Sequence, residues 1–154
     1  MFDLFKRRKG RGARRRATPS MFAEFLEYFG EAPVLEDGAA DPYDAFIDGL
    51  GGRSFGDGVF RVFERSDLEG WHRVVSGCFT KLRSEFNLIG YDWMGRCFAV
   101  DQRDGDGKEL VVLLEIATLD MYYIGKDVAV FLNEVMPNQS EACLGVGRYR
   151  EWLG

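Results

Sequence analysis

The side chains with chemical potential in this 154-residue chain are few, and their spacing argues against most catalytic arrangements. His72 is the only histidine, so a Ser-His-Asp or Cys-His nucleophilic arrangement would have to be built around it, and a zinc site would need Cys or carboxylates for its other ligands. It follows Trp71 on a predicted helix, and Cys78, six residues on, does not share its helical face. Cys78, Cys97 and Cys143 contain no C-x-x-C pair; an odd set of this kind reads as small hydrophobes of a reduced, intracellular protein. Asp101, Asp104 and Asp106 suggest a calcium loop, but counting from Asp104 puts Lys108 at the fifth ligand position and Glu109 where glycine is required. No G-x-x-x-x-G-K-[ST] or G-x-G-x-x-G occurs, and the glycine-rich stretch from Gly49 to Gly58 leads into a strand, not the helix that would aim its N-terminus at a phosphate. The expectation is a protein that is not an enzyme and uses neither a metal nor a cofactor.

The elements that would position any other kind of site follow from periodicity. Phe22, Phe25, Leu26 and Phe29 recur at helical spacing after Thr18-Pro19-Ser20 and stop at Gly30. Asp41 as N-cap and Pro42 at the first position open a second helix that buries Phe46 and Ile47. Ser66-Asp67-Leu68-Glu69 fits a capping box for a third, Asp67 to about Ser76, with Trp71, Val74 and Val75 available for packing. The period then falls towards two, predicting strands at 59–64, 87–92, 96–101, 109–116 and 121–124, joined by turns at Asp92-Trp93-Met94-Gly95 and Asp104-Gly105-Asp106-Gly107. Val111 to Leu114 is apolar without alternation, as expected of a central strand covered on both faces. Val128, Phe131, Leu132 and Val135 form a helical stripe ended by Met136-Pro137, and Tyr149, Trp152 and Leu153 suggest a last short helix. The predicted class is α+β: a mainly antiparallel sheet of about five strands flanked by N- and C-terminal helices, in a single domain over 19–154.

Composition excludes disorder and collagen-like repeats, with 46% hydrophobic and 14% aromatic residues, and no apolar run approaches the length of a membrane span. The formal charge of −5 conceals a split. Residues 1–16 hold eight of the twenty Lys and Arg and one of the twenty-five acids, which leaves a body of formal −12. Residues 1–18 therefore form a basic arm, and its apolar start followed by Lys6, Arg7, Arg8 and Lys9 is the wrong order for a signal peptide. Three readings of the arm stand: a solvated tail, weak attachment to an anionic membrane surface with Phe2, Leu4 and Phe5 as a wedge, or sequence-independent phosphate contact that the acidic body would oppose.

Three segments carry a resemblance: Phe25-Leu26-Glu27-Tyr28-Phe29-Gly30-Glu31-Ala32-Pro33, Gly51 to Val62 (GGRSFGDGVFRV), and Gly90 to Asp101 (GYDWMGRCFAVD). Together with Phe131-Leu132-Asn133-Glu134 and Tyr149-Arg150-Glu151-Trp152, they resemble the GAD-like domain proteins, whose characterised members are immunity proteins of bacterial type VI secretion DNase effectors. The resemblance covers about 25–154 and omits the arm. It implies a cytoplasmic protein whose partner is a cognate toxin, a nuclease effector, with no direct contact to nucleic acid. A rival reading makes the chain a peripheral inner-membrane scaffold recruited through its arm. An acidic body is a plausible competitor for DNA at a basic nuclease cleft, and loops held by a sheet are where binding residues concentrate. The candidate toxin-binding residues are accordingly Asp57, Asp92, Trp93, Arg96, Asp104 and Asp106. Each also has a local reading: Trp93 as hairpin packing, Asp92 and Arg96 as a turn-stabilising pair, and the remaining aspartates as turn chemistry.

Overall fold

The computed structural model describes residues 21–32, 41–103 and 109–154. The arm residues Phe2, Phe5, Lys6, Arg7, Arg8 and Lys9, and the loop residues Asp104 and Asp106, lie outside the described residues. The fold is α+β, built on an open antiparallel sheet of six strands in simple meander order: β1 (Ser54–Phe55), β2 (Phe60–Val62), β3 (Phe86–Asp92), β4 (Cys97–Asp101), β5 (Leu110–Glu115) and β6 (Asp120–Tyr123). The strand beyond the expected five is β1, two residues long and too short to show a period.

Helices cover both faces. On one lie α1 (Ala23–Tyr28), α2 (Pro42–Leu50) and a C-terminal run comprising α4 (Val128–Val130), a π-helical turn (Phe131–Val135), α5 (Met136–Asn138), α6 (Ser140–Leu144) and α7 (Val146–Leu153). Their core is aromatic: Phe22, Phe25, Phe46, Phe60, Phe98 and Phe131 are fully buried and meet largely edge to face, the arrangement that ring quadrupoles favour. The other face is covered by α3 (Leu68–Cys78) and a 3-10 turn, Thr80–Leu82, over Phe63, Phe86, Leu88 and Ala99. Strand β5 has core on both sides, with Val111 and Leu113 facing the aromatic cluster and Val112 and Leu114 the smaller one, as its unbroken apolar run predicts.

Local chemistry explains several boundaries. The Asp41 carboxylate accepts from the backbone N–H groups of Tyr43 and Asp44 at 3.0 and 3.3 Å, with Pro42 at the first helical position. Strand β3 carries a bulge between Leu88 and Gly90: Ile89 lies on the aromatic face, and the shifted phase leaves Tyr91 on the same side as Leu88. Gly90 is required there, because a Cβ on it would stand 2.4 Å from the Arg61 carbonyl oxygen and 2.7 Å from the Phe60 ring.

Three expectations are corrected. No side-chain cap opens α3; a 3-10 turn, Arg65–Asp67, leads into it instead of a capping box. Of the three residues expected to pack from that helix only Val75 is buried, while Trp71 and Val74 are 48% and 58% exposed. Pro137 does not end its helix, which continues to Asn138. Proline has no N–H to donate back along the helix, and the coil is widened into a π-helical turn up to Val135, two residues before it.

Candidate protein-binding surface

The β3–β4 hairpin is fastened by one ion pair. Asp92 is 2% exposed and its carboxylate accepts three hydrogen bonds, from the backbone N–H groups of Met94 (3.0 Å) and Arg96 (2.9 Å) and from the Arg96 Nε (2.7 Å), while the Arg96 Nη2 lies 2.6 Å away in the ion pair. Gly95, at φ +79°, completes the turn. Burial pushes the Asp92 carboxyl above its usual range, against the pull of the Arg96 hydrogen bonds. The same guanidinium donates to the carbonyl of Cys143 at 2.9 Å, and the Trp93 indole N–H donates to the carbonyl of Leu144 at 2.8 Å. Both acceptors are at the C-terminal end of α6, where helix carbonyls lack intrahelical donors. The hairpin thus fixes where α7 begins.

Helix α7 returns the contact. Tyr149 and Trp152 are three residues apart on one face, and their rings form a cluster with Trp93 at centroid separations of 5.3 to 6.1 Å. The buried Tyr149 hydroxyl donates to the Asp57 carbonyl, tying in the Gly56–Gly58 turn, in which all three residues have positive φ. Trp152 stands 70% exposed at the outer end of the cluster, followed by the exposed Leu153, and the exposed Met94 lies against Gly145 at the start of α7. A shallow groove of about 230 Å³ runs from Asp57 past Tyr149 to Leu153.

Four of the predicted site residues therefore come together at one end of the sheet, in different roles. Asp57 is exposed and Trp93 is half-buried, so each offers part of its side chain to solvent. Asp92 does not: its side chain is fully enclosed, and Arg96 is 14% exposed, so the expectation of direct contact is corrected to one of positioning. Arg103 and Glu109, the described residues on either side of 104–108, follow and precede the end of the sheet opposite this hairpin. The aromatic end is of mixed charge, with Arg61 beside Gly58 and Tyr149, and exposed Arg148, Arg150 and Glu151 on α7. Trp152 and Leu153 were not among the predicted contacts; the signal available was the Tyr149–Trp152 spacing on a short terminal helix.

The residues with nucleophilic or ligating chemistry are occupied structurally. His72 stacks on Phe86 at 4.4 Å, and its Nε2 lies 3.2 Å from the Ser84 carbonyl. Burial pushes the Cys97 thiol up to about 12 and raises that of Cys143, which leaves little thiolate at neutral pH. Among the described residues, no group of three or more His, Cys, Asp or Glu is gathered closely enough to hold a metal ion, and no helix is long and apolar enough to cross a membrane.

No family model, curated protein or solved structure matches the chain.

Proposed function

We propose that the chain is a cytoplasmic immunity protein, without catalytic activity of its own, that binds and occludes a cognate antibacterial toxin of the nuclease kind. The observation that carries the reading is the exposed Trp152 stacked against Trp93 and Tyr149, which are pinned by hydrogen bonds to two chain segments. Aromatic anchors held in place before binding lose little entropy on association and dominate interface energetics. A tryptophan left largely exposed at the end of such a stack contributes little to the core and much to a partner. The segment of strongest resemblance to the GAD-like immunity proteins, Gly90 to Asp101, builds the hairpin under this stack. The formal −12 of the body outside the arm steers encounter with a basic partner, and the aromatic end sets how slowly the complex dissociates.

The test is affinity capture from a lysate of the source bacterium with the full chain and with its Trp152→Ala variant, at low and moderate salt after nuclease treatment, followed by purification and assay of the captured protein. The expected result is a stoichiometric partner whose DNase activity the chain abolishes one to one, with affinity lowered roughly 30-fold, about 2 kcal/mol, by Trp152→Ala. A partner whose activity is unaffected, or recovery of anionic lipid alone, overturns the reading, and the latter favours the peripheral-membrane scaffold.

A further inference from the structure

At the end of the sheet remote from Trp152, two adjoining hollows of about 750 and 530 Å³ share Asp41, Tyr43 and Glu109 and make one trough between α2, the start of β5 and α4. We propose that this trough is a docking site for a basic polypeptide segment, and that its occupant is this chain's own arm, Lys6 to Arg16. The inference concerns a different surface from the toxin-binding reading and does not depend on it.

The floor of the larger hollow is apolar, formed in part by Val100, Val128 and the ring of Tyr43. Tyr43 is buried, its hydroxyl donates to the Leu88 carbonyl at 2.9 Å, and burial pushes its pKa up to about 12, so it adds no charge. The rim is acidic: Asp41, Glu109, Asp127 and Glu134 are all exposed, and Lys126 is the only cation lining that hollow among the described residues. None of the four carboxylates is in a salt bridge among the described residues, whereas Arg65, in the smaller hollow, is already held by Asp44 and Asp48. Long basic side chains suit such a site, because their methylene stems cover apolar surface while the charged heads reach carboxylates at the edge.

The arm supplies those side chains from the right place. Eight Lys and Arg fall within residues 6–16. The described chain begins at Met21, whose carbonyl accepts from the Asn133 side-chain amide at 2.7 Å, and the next residue, Glu134, stands on the rim of the trough. The rim therefore begins one residue along the chain from the Asn133 side chain that binds Met21. An extended chain spans at most about 3.3–3.6 Å per residue, so even Arg16, five positions before Met21, reaches it, and Lys6 has slack to spare. A tether of this length sets an effective concentration in the millimolar range, far above what a separate peptide of the same charge would meet in solution.

The test is zero-length carbodiimide cross-linking of the full-length protein, with the joined peptides identified by mass spectrometry in an equal mixture of ¹⁴N- and ¹⁵N-labelled chains. The expected result is Lys6 and Lys9 joined to Glu109, Asp127 or Glu134 in same-isotope pairs. These are lost near 1 M NaCl, where screening falls to about 3 Å, and the joins to Asp127 are reduced severalfold in the Glu109→Gln/Glu134→Gln double variant. Even distribution of cross-links over other exposed acids such as Glu24, Glu27 and Glu151 overturns the proposal. Mixed-isotope pairs overturn it in favour of a second copy. Absence of trough cross-links, with flotation of the protein on phosphatidylserine-containing vesicles, overturns it in favour of a membrane surface.

Discussion

Removing the Asp92 carboxylate tests the claim that one ion pair joins the β3–β4 hairpin to the C-terminal helices. In Asp92→Ala, two backbone N–H groups lose their acceptor, and a guanidinium only 14% exposed loses its counter-charge while remaining tied to Cys143. Breaking a buried pair from one side costs about 3–5 kcal/mol, a large part of the roughly 5–15 kcal/mol that holds a domain together. With a urea slope of about 2 kcal/mol per molar, the unfolding midpoint falls by roughly 2 M. Asp92→Asn retains an oxygen for the two backbone donors but sets an amide against the guanidinium, so it should lose about 1.5–3 kcal/mol, the worth of hydrogen bonds to a charged group. Arg96→Ala should cost about as much as Asp92→Ala, and the double variant less than the sum of the two by roughly 1–3 kcal/mol, because the second substitution removes an already orphaned charge. Urea titrations followed by tryptophan emission suit the purpose, since Trp93 adjoins Asp92 in the hairpin and stacks with Trp152. A loss below about 1 kcal/mol for Asp92→Ala, or strict additivity in the double variant, would refute the reasoning.

Two further outcomes follow from the geometry. Gly90→Ala places a methyl against the Arg61 carbonyl and the Phe60 ring, both too close to accommodate it without moving β2, so a loss of about 1–3 kcal/mol in urea unfolding is expected, and an unchanged midpoint would contradict the close approach. Hydrogen bonds from Arg103 hold the Asp101 carboxyl below the usual carboxylate range. A depressed native pKa contributes stability that is present above the unfolded value of about 3.9 and is lost as pH falls through the native one, so wild type should exceed Asp101→Asn at pH 6, with the gap closing below about pH 4. A gap independent of pH would mean that the carboxylate's charge is not what Arg103 stabilises.

Legibility varied with distance along the chain. The Asp41-Pro42 helix start, the Gly95 turn and the two-faced burial of Val111 to Leu114 were readable because each rests on contacts within a few residues or on a strand's own period. The capping box failed for a reason equally local: Ser66 and Glu69 have the right spacing, but the chain enters α3 through a 3-10 turn. Trp71 and Val74 illustrate another limit. The stripe that faces the sheet runs through Leu68, His72, Val75 and Phe79, so Trp71 and Val74, each one position off it, are turned towards solvent.

The candidate site marks the same boundary. From the sequence alone came the α+β class, the mainly antiparallel sheet, and the acidic body with its basic arm, because local periodicity and summed charge need no coordinates. Only the tertiary structure decided that Asp92 is an enclosed post and not a contact, that Tyr149 reaches ninety-two residues back to Asp57 while packing on Trp93 and Trp152, and that Asp41, Glu109 and Glu134 rim one trough. Helical spacing relates residues up to four apart and a strand relates alternate ones, whereas convergence over longer stretches depends on strand register and on the side of the sheet to which each helix returns.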